Sequence, residues 1–265
     1  MKGRVLVVAG SDSGGGAGIQ ADIKTITALS GFAMTAVTAL TAQNSLSVAN
    51  VLKTPPEFVA EQIRVTLDDL GCDAVKTGMM ADAPIIEAAA DALEALAPDV
   101  PRVIDPVMVS TGRDRLLDED AVQSMKTRLV ARARVATPNM AEAEVLTGLT
   151  VTTPDDMAAA GKAILELGAA AVLVTGGHLK GDTLTDVLVR ADGVEHFQSP
   201  RIDSTNTHGT GCTLASAIAT GLAQGRELTD AVVRARAYVA EAIRSAPGYG
   251  AGHGPLNHAH TVKPL

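Results

Sequence analysis

At 265 residues, 46% of them apolar, the chain is long enough to bury a sizeable core as one α/β domain. A net charge of −8 argues against nucleic acid or an anionic membrane as partner, so a bound anion must be held by local dipoles and metal ions. The two cysteines, Cys72 and Cys212, do not make a disulfide framework and fit a reducing cytoplasm.

Basic residues precede an apolar run at the start of the chain. Ser11-Asp12-Ser13 interrupts it too early for a signal peptide, so residues 4–9 read as a buried strand. No apolar run approaches the length of a membrane span. Gly14-Gly15-Gly16-Ala17-Gly18 opens a helix to residue 29, and strands follow at 34–40 and 48–52. Thr54-Pro55-Pro56-Glu57 has the marks of a helix start: a capping threonine, proline in the first turn, and the acidic partner of a capping box. Val59, Ile63, Leu67 and Leu70 mark one face of that helix, and Gly71 ends it.

Residues 74–76 read as a strand, and Asp82 caps a helix to 96 that Pro98 stops. A strand at 102–105 and a helix at 118–131 come next, then a strand at 135–137 with a short helix behind Pro138-Asn139. Thr153-Pro154-Asp155-Asp156 repeats the cap chemistry for a helix ending at Gly168, and 171–175 is the last parallel strand. Segments 184–189 and 194–198 flank Ala191-Asp192-Gly193, a hairpin signal. A glycine turn leads into an Ala-rich helix, 214–223, and the final helix covers 228–245. The tail from Pro247 is rich in Gly, Pro and His and has no periodicity.

This alternation predicts a three-layer α/β/α architecture around a mostly parallel sheet, with a small β-hairpin in the C-terminal third. Ligands of such sheets gather beyond the carboxyl ends of the strands. The polar groups just after the predicted strands therefore share one rim: 11–18, 41–44, 76–79, 105–108, 137–142 and 175–178. The turn Thr207-His208-Gly209-Thr210-Gly211-Cys212 completes it, because a Gly-rich turn feeding a helix N-terminus aims free N–H groups and a positive dipole end at one spot. The amides of Gly209, Thr210, Gly211 and Cys212 form an anion hole there, and the dipole favours a Cys212 thiolate. Asp105 and Glu142 are carboxylates suited to Mg²⁺. Asn139 shares the first helical turn with Glu142, although a capping role alone suits it equally.

These motifs carry a resemblance. Ala9-Gly10-Ser11-Asp12-Ser13-Gly14-Gly15-Gly16-Ala17-Gly18-Ile19-Gln20-Ala21-Asp22, Thr41-Ala42-Gln43-Asn44, Lys76-Thr77-Gly78-Met79, Asp105-Pro106-Val107-Met108, Thr137-Pro138-Asn139-Met140-Ala141-Glu142, Gly176-Gly177-His178-Leu179 and the segment 208–218 run nearly end to end in order. Together they resemble the hydroxymethylpyrimidine/phosphomethylpyrimidine kinases of the thiamin pathway, within the ribokinase-like superfamily. The resemblance implies a single ribokinase-like domain over 1–265 and ATP- and Mg²⁺-dependent phosphorylation of 4-amino-5-hydroxymethyl-2-methylpyrimidine, then of its monophosphate. It places Asp22, Gln43, Met79, Val107 and Gly10 around the pyrimidine, and Asn139, Thr175, Gly177 and Thr207 around ATP. It puts Cys212 where most superfamily members have an aspartate base. A cytoplasmic homodimer also follows from it, and dependence on K⁺ is left open.

Two departures stand out. Thr175 replaces the lysine that relatives carry before Gly-Gly-His, with Lys180 nearby in sequence, and Arg236 stands where lysine is common. Competing readings remain: a pyridoxal kinase of the same superfamily, or a pyrimidine-binding protein without activity. A dinucleotide-binding oxidoreductase fits poorly, because the first glycines are contiguous and no acidic residue stands at the required spacing. For Cys212 the alternative is a small buried thiol, and for Asp22 a dipole-complementing carboxylate.

Overall fold

A computed structural model describes residues 1–108 and 119–262. Nine strands form one sheet in the order β3-β2-β1-β4-β5-β6-β7-β8-β9. Six of them run parallel: β1 (Arg4–Asp12), β2 (Phe32–Gln43), β4 (Ala74–Thr77), β5 (Arg102–Ile104), β6 (Val135–Ala136) and β7 (Ala171–Val174). Antiparallel strands flank this core, with β3 (Val48–Lys53) on one side and the hairpin β8 (Thr183–Arg190) and β9 (Gly193–Pro200) on the other.

The central strands are apolar on both faces, as a doubly covered sheet requires. Along β1, Val5, Val7 and Ala9 join the core beneath α1 (Gly18–Ala28), α7 (Thr210–Ala223) and α8 (Leu228–Arg244). Leu6 and Val8 join the opposite core with α2 (Pro56–Leu70), α3 (Ala83–Leu96), α5 (Met140–Thr147) and α6 (Pro154–Leu165). Because the six central strands run the same way, their C-terminal residues come out on one edge. The remaining helix, α4 (Glu119–Ser124), is followed by a π turn, Met125–Leu129, and a 3₁₀ turn, Val130–Arg132. The start expected for it at residue 118 lies outside the described residues.

Several local expectations hold in detail. The Asp82 side chain caps α3 by accepting from the Ile85 amide, and Thr153 forms a reciprocal capping box with Asp156. Others need correction. Thr54 is not a cap: α2 begins after Pro55, and the Thr54 N–H bonds to the Thr38 carbonyl of β2. A residue before proline is held extended, so Thr54 and Pro55 stay out of the helix, which starts at the second proline, Pro56. The first helix starts at Gly18 and not at Gly14, because the Asp12 carboxylate takes the Gly14, Gly16 and Ala17 amides into a turn. The aperiodic tail packs down as a strap, with Leu256 and His258 buried. No helix among the described residues is long and apolar enough to cross a membrane.

Candidate active site

Helix α7 begins after Gly209, whose φ of +83° is left-handed, and no side chain caps it. A Cβ on Gly209 would collide with the Gly16 carbonyl, so both the backbone conformation and the close approach call for glycine here. Thr213 is bonded back to Gly209, and the Thr210 N–H turns towards the Thr207 carbonyl at 3.3 Å. That leaves Gly211 and Cys212 as the clearest donors of the expected anion hole.

Beneath this turn lies a buried charge cluster. Lys76 of β4 is fully buried, with Nζ 3.0 and 3.1 Å from the two Asp22 oxygens and 3.8 Å from Asp105 Oδ2. Ser216 of α7 donates to Asp22 Oδ1 at 2.6 Å. Burial alone would lower the Lys76 ammonium, but Asp22, the Cys212 sulfur and Asp105 hold it above the ordinary lysine range. Burial pushes Asp105 up to about 6, against the pull of Lys76. Both Asp22 oxygens are engaged by protein groups, so its partners here are Lys76 and Ser216.

Burial works against the thiolate expected for Cys212. Burial pushes this thiol up to about 12, outweighing Lys76 and the Gly18 N–H, which favour the anion. Desolvation disfavours the charged form of a thiol and opposes the helix dipole and Lys76 here.

Asp105 follows β5 directly, and its Oδ2 has no hydrogen-bond partner despite being buried. Glu142, also buried, is raised well above the ordinary range by burial and by the neighbouring Asp105. Glu142 and Asn139 form a reciprocal capping box on α5, at 2.9 and 3.0 Å, so the Asn139 side-chain oxygen is engaged as a cap. A carboxylate oxygen with no hydrogen bond, beside a second acid, fits Mg²⁺, which takes one or two protein carboxylates and keeps waters and phosphate oxygens. Among the described residues no group of three His, Cys, Asp or Glu completes a metal set.

At the other end of the site, Gly10 packs against Met79: its N–H donates to the Met79 carbonyl at 3.1 Å, and a Cβ would sit 2.6 Å from Met79 Cε. Met79 and Val107 are half-buried, whereas Met80 is core. Gln43, at the end of β2, meets His208 at 3.0 Å, and His208 meets Asp12 at 3.0 Å.

The turn after β7 is firmly braced. Thr175 donates its N–H to the Pro138 carbonyl and bridges to Asn139. The Gly176 N–H donates to Asp186, which is held in turn by Arg236 at 2.7 Å. Arg201 donates to the carbonyls of Gly177, Leu179 and Gly181. Arg236 is thus committed inside the fold, its guanidinium 5.7 Å from the Phe197 ring centroid. Lys180 is exposed, and the Thr207 hydroxyl meets His253 at 3.4 Å. Sequence reasoning assigned no role to Lys76, Asp12, Arg201 or Asp186. A lysine inside an apolar strand was the one available signal, since such a charge demands a partner.

The Phosphomethylpyrimidine kinase family profile matches residues 12–257. The chain belongs to this family. Among phosphomethylpyrimidine kinase relatives, the hydroxymethylpyrimidine/phosphomethylpyrimidine kinase of Streptomyces coelicolor is 47% identical, over 96% of this chain and 93% of its own length. The thiamine biosynthesis bifunctional protein of Geobacter sulfurreducens is 49% identical over 97% of this chain, which spans about half (52%) of that longer relative. A Bacillus subtilis pyridoxal kinase, solved as an ADP complex, superposes with a TM-score of 0.91 at 37% identity, covering 98% of each chain. The ribokinase-like phosphotransferase fold expected from the motifs is therefore the fold of this phosphomethylpyrimidine kinase family member.

Proposed function

We propose that the chain transfers the γ-phosphoryl group of ATP to the hydroxymethyl oxygen of 4-amino-5-hydroxymethyl-2-methylpyrimidine, and then to the resulting monophosphate, as a single domain. The observation that carries this is the convergence of the amide-lined turn at 209–212 with the Lys76–Asp22–Asp105 cluster at the shared strand edge. Phosphoryl transfer needs positioning and charge neutralisation more than covalent chemistry. The Gly211 and Cys212 amides offer donors for the phosphoryl oxygens. Asp105 and Glu142 would hold Mg²⁺, whose chemistry is to neutralise phosphate charge and orient the leaving group.

Cys212 acts on the acceptor hydroxyl. Burial pushes the Cys212 thiol up to about 12, which disfavours a thiolate standing ready as base at neutral pH. A loose transition state asks for little proton abstraction early, so Cys212 orients the hydroxyl, whose proton passes late to an oxygen of the transferred phosphoryl group as the new O–P bond forms. Lys76 neutralises the carboxylates beneath the anion turn, and Asp22 fixes Lys76. Gln43, Met79, Val107 and Gly10 enclose the pyrimidine. The turn at Thr175 and Gly177, with Asn139 and Thr207 across from it, receives the nucleotide.

Pyridoxal phosphorylation is the second reading, favoured by the overlap with the Bacillus subtilis enzyme. A homodimer in the cytoplasm completes the proposal: the β2–β3 margin exposes Leu40, Leu46, Val51 and Leu52, an apolar edge suited to a second copy. An ADP-release assay with the pyrimidine, its monophosphate, pyridoxal or no acceptor tests the substrate reading. We expect the highest kcat/KM for the two pyrimidines. A higher value for pyridoxal would reverse the assignment, and ADP release from no acceptor mixture would leave a binding protein.

A further inference from the structure

The Gly-, Pro- and His-rich tail is laid between two parts of the site. On one side it is bonded to the turn between β2 and β3: the Gly252 N–H donates to Ser45 Oγ at 3.3 Å, and the His253 N–H donates to the Ser45 carbonyl at 3.0 Å. On the other side it pairs with the segment that leads into the anion turn. There the Gly254 N–H donates to the Thr205 carbonyl at 3.3 Å, and the Gly254 carbonyl accepts the His208 N–H at 3.1 Å. The fit is close at both contacts. A Cβ on Gly252 would lie 2.1 Å from the Ser45 carbonyl oxygen, and one on Gly254 would lie 2.0 Å from Asn206 Oδ1. Further along, the tail is fixed to the body of the protein: Leu256 is buried, the Asn257 N–H donates to the Ala242 carbonyl of α8, and the His258 carbonyl accepts from the Tyr238 hydroxyl at 2.6 Å.

We propose that residues 252–254 are a positioning strap that sets the amides of the anion turn at a fixed distance from the pocket at the end of β2. This rests on the phosphoryl-transfer reading above for what those two parts bind. Ser45 follows β2 directly beyond Gln43 and Asn44, and His208 immediately precedes Gly209, so three residues of strap bridge the acceptor side and the phosphoryl side. No side chain caps α7, so its free amides take their position from the backbone before them. The His208 side chain, bonded to Asp12 at 3.0 Å, braces the same turn against the first glycine loop, and the strap braces it from the opposite end of the residue. Transfer needs the reacting atoms near contact, and a misplacement of about 1 Å costs on the order of a hundredfold. The strap acts on that step and leaves the binding of each ligand to the groups that face it.

Two variants test this. Gly252→Ala drives the strap off Ser45, because the added carbon cannot remain 2.1 Å from a carbonyl oxygen. Inserting one glycine between His253 and Gly254 slackens the link itself without placing a side chain in it, and decides alone if Gly252→Ala does not fold. For either variant kcat for the pyrimidine should fall about tenfold or more, while KM for ATP and for the pyrimidine stay within about threefold. Titration calorimetry with a non-hydrolysable ATP analogue counts the competent sites, and their number should be unchanged. A fall in kcat that only tracks a loss of sites, or a kcat within about twofold of wild type in the insertion variant, overturns the proposal. Independently of any substrate, hydrogen exchange followed by mass spectrometry should speed up in peptides covering 204–212 and stay the same in β1 and α8. Unchanged exchange at 204–212 overturns the proposal. Should the wild-type protein phosphorylate no pyrimidine, the function reading fails, while the exchange result still decides whether the strap holds the anion turn.

Discussion

Replacing Lys76 with methionine keeps the apolar stem and removes the ammonium that faces both Asp22 and Asp105. Two buried carboxylates are then left to each other: Asp22 retains only Ser216, and Asp105 Oδ2 retains no partner. Removing one member of a buried ion pair costs about 3–5 kcal/mol. For 265 residues, an unfolding entropy of about 2.1 cal/mol/K per residue gives roughly 0.56 kcal/mol/K. The expected fall in melting temperature is therefore roughly 5–9 °C, measured by circular dichroism at pH 7.5. The loss should shrink as pH falls towards 5, because a carboxyl raised in the folded state binds its proton there before the unfolded chain does. Lys76→Met combined with Asp22→Asn should recover at least half of the loss, since the amide fills the same space without the charge. A fall of less than about 2 °C for the single variant, or no recovery in the double, would refute the claim that Lys76 compensates buried charge.

Three further outcomes follow from the same geometry. Cys212→Ala should lower kcat about a hundredfold and leave both KM values within a few-fold, and iodoacetamide labelling of Cys212 should climb without a plateau up to pH 10; a plateau near neutrality would mean a thiolate after all. Arg201→Ala frees three carbonyls of the turn after β7, so KM for ATP should rise severalfold while KM for the pyrimidine holds, with Arg201→Lys partly restoring it; equal rises in both would make Arg201 a general support of the fold. His258 is buried against Thr213, and burial lowers it from 6.5 to about 4. The unfolded chain takes up this proton first, so on the order of 3 kcal/mol of stability present above pH 6.5 should be lost as pH falls to about 4. His258→Asn should flatten that slope in urea titrations, and an unchanged slope would exclude His258 as its source.

Local chemistry was the part of this fold best written in the sequence. Asp82 and Thr153 announce their helices because cap and partner lie within one turn, and Ala191-Asp192-Gly193 marks its hairpin for the same reason. The shared rim was legible too, since parallel strands with short returns leave their polar ends on one edge. What escaped depends on distant partners. Lys76 is buried because Asp22 stands 54 positions earlier in the chain, and nothing in Val75-Lys76-Thr77 says so. Asp12 organises the glycine loop from outside it, which moved the helix start to Gly18. The thiolate expectation for Cys212 meets the same limit: a dipole can be read from adjacent residues, whereas desolvation needs the whole surrounding fold.

The most direct test is to incubate the protein with ATP, Mg²⁺ and 4-amino-5-hydroxymethyl-2-methylpyrimidine and follow products by ³¹P NMR. The account predicts a monophosphate ester that is then consumed to a diphosphate, with ADP formed in step with each transfer. Inorganic phosphate as the sole product, or no ester from the pyrimidine under conditions in which pyridoxal is phosphorylated, would contradict it.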